Sequence, residues 1–141
     1  MLANGDRTRL TRNIANIEMD LGGLEELGVD VFGGADAVQV GDLSGTAVTL
    51  ADVDLNASLG GGDAQADTVT VKGTERRDQV ILSRSGVQAI AAGLAAETRI
   101  SGGEATLDTL RVSTLGGDDL VAFEDALDDL IKPVIDLGAD G

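Results

Sequence analysis

The chain has 141 residues, enough for one domain, and 43% of them are apolar. Its formal net charge is −15, from 25 acids against 10 bases, which disfavours nucleic acid and anionic membrane surfaces and favours cations. It has no cysteine, histidine, tyrosine or tryptophan; this removes disulfides, thiolate metal sites and the commonest catalytic bases and nucleophiles.

Residues 1–13 are polar and are expected to form a cap or an arm. Met1 is followed by Arg7, Arg9 and Arg12 with no apolar run behind them, so no signal peptide is read here. Nor is any apolar stretch long enough to span a membrane. From residue 14 onward aliphatic residues recur in columns. Ile17, Val38, Leu59, Val80, Ile100 and Val121 are separated by 21, 21, 21, 20 and 21 residues. Leu27, Val48, Val69, Ile90, Leu110 and Ile131 show the same gaps, and Val29, Leu50, Val71, Ala92 and Val112 run beside them up to Pro133. A chain that returns to one place once per coil produces such columns.

Short alternating strands fill the coils. Asp67–Val71, Asp78–Leu82 and Asp108–Val112 each put an aliphatic residue at every second position. Glycine runs mark turns at Gly22-Gly23, Gly33-Gly34, Gly60-Gly61-Gly62, Gly102-Gly103 and Gly116-Gly117. A longer spacing overlies the coil: Asp36, Asp78 and Asp119 are 42 and 41 apart, and Asp67 and Asp108 are 41 apart. Each acid stands two residues before an inward aliphatic. Residues 87–97 are alanine-rich and are read as strand through Ile90. Residues 122–132 fit either a helix, with Phe123, Ala126, Leu127, Leu130 and Ile131 on one face, or a further coil. The expected architecture is all-β: a right-handed parallel β-solenoid over residues 14–141, of about six coils of about 21 residues, with a possible C-terminal helical segment.

The segments Gly34-Ala35-Asp36-Ala37-Val38 and Gly117-Asp118-Asp119-Leu120-Val121 resemble the second half of the nonapeptide G-G-x-G-x-D-x-U-x of the RTX, or haemolysin-type, calcium-binding repeat proteins. Arg9–Ile14, Asp63–Val69 and Gly93–Ala96 resemble segments of long bacterial extracellular proteins that carry such repeats. The resemblance implies Ca²⁺ held in turns between parallel strands, and export from bacteria as part of a larger secreted or cell-surface protein. The chain departs from the family pattern: no complete nonapeptide occurs, and Ala57 and Thr98 stand between the recurring aspartates.

Gly116, Gly117, Asp118 and Asp119 are the foremost candidate cation site, since glycine-turn carbonyls and two carboxylates suit a hard cation. Gly33, Gly34 and Asp36 are the second. Asp67, Asp78 and Asp108 are expected instead to bind backbone N–H groups in turns. The functional expectation is a non-enzymatic, calcium-associated structural segment of an exported protein. The alternative is a metal-free interaction or assembly module, and an enzyme acting on polysaccharides is less favoured. Expected partners are Ca²⁺ and further copies of the chain, joined through coil ends or strand edges. Neither nucleic acid nor membrane insertion is expected.

Overall fold

The computed structural model describes residues 1–139. Strands β1 (Leu2–Asn4), β2 (Arg7–Arg12) and β3 (Ile17–Gly22) form an antiparallel sheet at the N-terminus. The turn between β2 and β3 is a single 3-10 turn in which Ala15 and Asn16 take positive φ. The rest of the chain crosses between two facing sheets. One holds six strands in the order β12-β8-β9-β10-β6-β4 and the other four in the order β13-β11-β7-β5. Their ranges are β4 Glu26–Phe32, β5 Ala37–Val40, β6 Leu50–Ala57, β7 Thr68–Lys72, β8 Gln79–Ser85, β9 Gln88–Ala92, β10 Glu97–Ser101, β11 Thr109–Ser113, β12 Leu120–Phe123 and β13 Lys132–Asp136.

Alternation in sequence becomes alternation across each sheet. Strand β6 buries Ala51, Val53 and Leu55 while Asp52, Asp54 and Asn56 face outward. Strands β7, β8 and β11 bury Val69 and Val71, Val80 and Leu82, and Leu110 and Val112. These side chains, with Ile100, merge into one core between the two sheets. Aromatic rings are absent from it, and β9 contributes only Ala89 and Ala91. A smaller cluster of Leu27, Val40, Leu43 and Val48 lies at the other end, with Leu10 and Leu21 of the N-terminal sheet packed on it.

Three sheets of mixed strand direction replace the expected single parallel solenoid. The four-stranded sheet is parallel throughout, but β9 runs antiparallel to both β8 and β10. The columns at intervals of 21 do not stack. Val38 pairs with Val69, Leu59 is 98% exposed in a turn, and Ile17 lies exposed in the N-terminal sheet. The chain zigzags between two sheets in strands and turns of similar length. Aliphatic residues therefore recur at near-equal intervals whichever neighbour receives them. The true registers are unequal: Val38↔Val69, Val69↔Leu110 and Leu110↔Pro133 span 31, 41 and 23 residues. The 41-residue spacing is a real register, found again in Val80↔Val121. It arises because β8, β9 and β10 all lie in the six-stranded sheet between β7 and β11.

The expected C-terminal helical segment is also corrected. Residues 120–123 are strand β12, turns follow, and β13 begins at Lys132. Leu127 and Ile131 are buried in the main core, while Ala126 is exposed. A segment whose apolar residues must reach one core opening has no need of a continuous helical face, and Asp128 and Asp129 stay in solvent.

Candidate functional site

Parallel strands in register start at one level, so the residues that precede them form a column along the sheet rim. In the four-stranded sheet this column is Asp36, Asp67 and Asp108. The N–H of Asp36 donates to Asp67 Oδ1 at 2.8 Å, and the N–H of Asp67 donates to Asp108 Oδ1 at 2.9 Å. The other oxygen of Asp108 accepts the N–H of Glu104 at 2.7 Å. The six-stranded sheet repeats the device, with the N–H of Asp78 donating to Asp119 Oδ1 at 2.8 Å. Asp78 in turn accepts the N–H of Thr74 at 2.6 Å and the hydroxyl of Thr74 at 3.1 Å. Asp67, Asp78 and Asp108 are all buried, and a carboxylate that accepts backbone N–H groups is a stable way to fill such a corner.

A second tier lies in the turns. The N–H of Gly34 donates to Asp63 Oδ2 at 2.7 Å, and the N–H of Ala64 donates to Glu104 Oε2 at 2.8 Å. Sequence reasoning missed Asp63 and Glu104 as connectors. Their signal was available, because they are 41 apart, the same interval as Asp67 and Asp108.

The sequence-predicted site residues fall at opposite sides of the molecule. Gly33, Gly34 and Asp36 lie in the turn from β4 to β5, the outermost strands of their sheets at one end. Gly116, Gly117, Asp118 and Asp119 lie in the turn from β11 to β12, and β12 is the outermost strand at the other end. The structure does not bring the two sets together. Gly117 has φ 118°, and a Cβ there would lie 2.6 Å from the carbonyl carbon of Arg76, so this glycine serves a close backbone approach. Asp118 is exposed. One oxygen of Asp36 and one of Asp119, Oδ2 in each case, is buried without a hydrogen-bond partner among the described residues. Among the described residues, no group of three or more acids, histidines or cysteines is arranged to hold a metal ion.

The electrostatics follow from the stacking. Burial first, and then the charges of Asp108, Asp63 and Asp36, raise the Asp67 carboxyl above its ordinary value, against the N–H that it accepts from Asp36. Asp42 is held below its ordinary value by the hydroxyl and N–H of Ser44, with a smaller contribution from Arg76. Asp42 and Arg76 line a cavity of about 370 Å³ together with Lys72, Arg77, Leu43 and Leu94. Asp78 also lines it, but its carboxylate is already bonded to Thr74.

No protein-family profile, curated protein or solved structure matches the chain.

Proposed function

We propose that this is a non-catalytic structural and binding module whose rim aspartates hold its backbone together rather than a cation. The supporting observation is the use of the carboxylates: Asp67, Asp108 and Asp119 accept the N–H groups of Asp36, Asp67 and Asp78, each at the start of a neighbouring strand, and Asp78 accepts the N–H of Thr74 in its own turn. An aspartate so engaged adds one cross-strand bond at the rim of the pairs β5–β7, β7–β11 and β8–β12, in sheets that have few large side chains to pack.

One observation favours a second reading, in which Ca²⁺ binds at the turns. Among the described residues, two of the buried oxygens without a hydrogen-bond partner belong to Asp36 and Asp119, each two residues after a glycine pair. A hard cation would satisfy them. Thermal melts in chelator, millimolar Ca²⁺ and millimolar Mg²⁺ separate the two readings. The structural reading predicts a folded chain in chelator and equal small shifts with both ions, from screening of the −15 charge alone. A rise specific to Ca²⁺, lost in Asp118→Asn/Asp119→Asn, would establish the second.

A further inference from the structure

The two packed sheets have four outer strands, and they are treated differently. The edge of β5 is covered by the N-terminal segment: the N–H of Gly41 donates to the carbonyl of Met1, that of Ala3 to the carbonyl of Asp42, and the Met1 ammonium to the carbonyl of Gln39. The edge of β13 carries Pro133. Lys132 turns its N–H towards β11, so position 133 faces outward, where proline removes a donor from the free edge. The edge of β4 carries carboxylates within the strand, Glu26 and Asp30.

Among the described residues, strand β12 has none of these protections. Leu120–Phe123 contains no charge and no proline, and Leu120 and Phe123 are 52% and 51% exposed. The N–H groups of Leu120 and Glu124 face β8, donating to the carbonyls of Asp78 and Leu82. By alternation, Val121 and Phe123 present their backbone groups outward. On the outer face Ala122, Ile81 and Ala92 lie in one cross-strand row beside Leu120. An uncharged, unblocked edge beside an apolar face is a template for an added strand.

The charges decide what can be added. Asp118 and Asp119 precede the strand, Glu124 and Asp125 follow it, and the stretch 118–129 holds six acids and no base. Arg84 offsets part of this by pairing with Asp129 at 2.7 Å. A second copy paired antiparallel would set Asp118 and Asp119 against Glu124 and Asp125 of its mate. Paired parallel, it would set each acid beside itself. Both place like charges opposite one another. We propose that the β12 edge is a docking site for an extended segment of another protein, apolar at its centre and cationic at both ends, which joins the six-stranded sheet as a further strand. This rests on reading the domain as a non-catalytic binding module.

The test uses the full chain in chelator and a synthetic peptide with an alternating valine–threonine centre and two lysines at each end. Its control carries glutamates in place of the lysines. The lysine peptide should bind, shift the amide resonances of Val121 and Phe123, and slow their hydrogen exchange, while the glutamate peptide should do neither. Phe123→Pro removes an outward donor without touching the bonds to β8 and should weaken binding roughly tenfold. If that variant does not fold, Asp118→Lys/Glu124→Lys supplies the second arm: each flank then holds one lysine beside one acid, and the advantage of the lysine peptide over the glutamate peptide should fall severalfold from its wild-type value. Unchanged binding in Phe123→Pro, shifts confined to other strands, no preference between the peptides, or dimers of the chain that form through β12 would each overturn the proposal. Peptide binding that appears only with Ca²⁺ would overturn the metal-free reading instead. No binding in either condition, with melts indifferent to Ca²⁺, would overturn the docking site alone.

Discussion

Asp67 donates its backbone N–H to the carboxylate of Asp108 at 2.9 Å, across strands paired in register. Asp108 is 1% exposed and accepts a second N–H, from Glu104, on its other oxygen. A single side chain thus closes a turn on its own strand and fixes the start of the next. Asp108→Ala would leave one buried donor, the N–H of Asp67, and one half-buried donor, the N–H of Glu104, without partners and should cost about 2–3 kcal/mol. Asp108→Asn keeps one acceptor oxygen and should cost about half as much. Urea melts of the two variants check this, and equal losses would mean that only the shape of residue 108 matters.

Asp67 sets a pH dependence. Its folded carboxyl lies above the ordinary value of 3.8 because it is buried among other acids. The folded chain therefore keeps a proton that the unfolded chain releases just above that value. This contribution to stability is fully present below the unfolded value and is lost as pH rises through the folded one. Asp67→Asn retains an oxygen for the N–H of Asp36 and removes the charge. The variant should gain on wild type near neutral pH, and the gain should shrink as pH falls below about 4. Urea midpoints across this range measure it, and a gain that grows on acidification would contradict the assignment.

The reversed strand β9 makes its own prediction through two glycines. Gly86, in the turn from β8 to β9, has φ 60° and open space around a Cβ. Gly93, after β9, has φ 105°, and a Cβ there would overlap the carbonyl of Gln79 on β8. Gly86→Ala should cost about 1 kcal/mol from its backbone conformation alone. Gly93→Ala should cost more, because it also forces backbone apart. A parallel coil would place Gly93 away from Gln79, so similar losses in a denaturant series would count against the antiparallel arrangement.

Much of this local structure was legible in the sequence. The alternation that begins at Asp67, Asp78 and Asp108 gives β7, β8 and β11, and the 41-residue spacing is the register of β7 with β11 and of β8 with β12. The stacking order was not legible. Val38 and Leu59 are both aliphatic and fall one interval apart, yet one packs against the core and the other is in solvent. Spacing along a chain says how often it turns. It does not say which strand receives it, and nothing in Ser85-Gly86-Val87 distinguishes a hairpin from a coil corner. For the site, the aspartates were visible as recurring corner residues, but their partners were backbone N–H groups, which leave no mark in sequence.

Thr98 is a place where the fold works against its own stability. It faces the core from β10, between Ala51 and Ala91, is fully buried, and its hydroxyl has no partner among the described residues. Thr98→Val keeps the shape and removes the stranded polar group, and should stabilise the chain by about 1 kcal/mol. A lower urea midpoint for Thr98→Val would show that the hydroxyl is satisfied.

That the rim aspartates bind backbone rather than cation is tested most directly by following backbone amide resonances during a Ca²⁺ titration at constant ionic strength. The N–H groups of Asp36, Asp67 and Asp78 each point at a carboxylate that a bound cation would have to share or reclaim. These three resonances should stay in place through millimolar Ca²⁺. Saturable shifts at Asp36 or Asp78 that Mg²⁺ does not reproduce would contradict it.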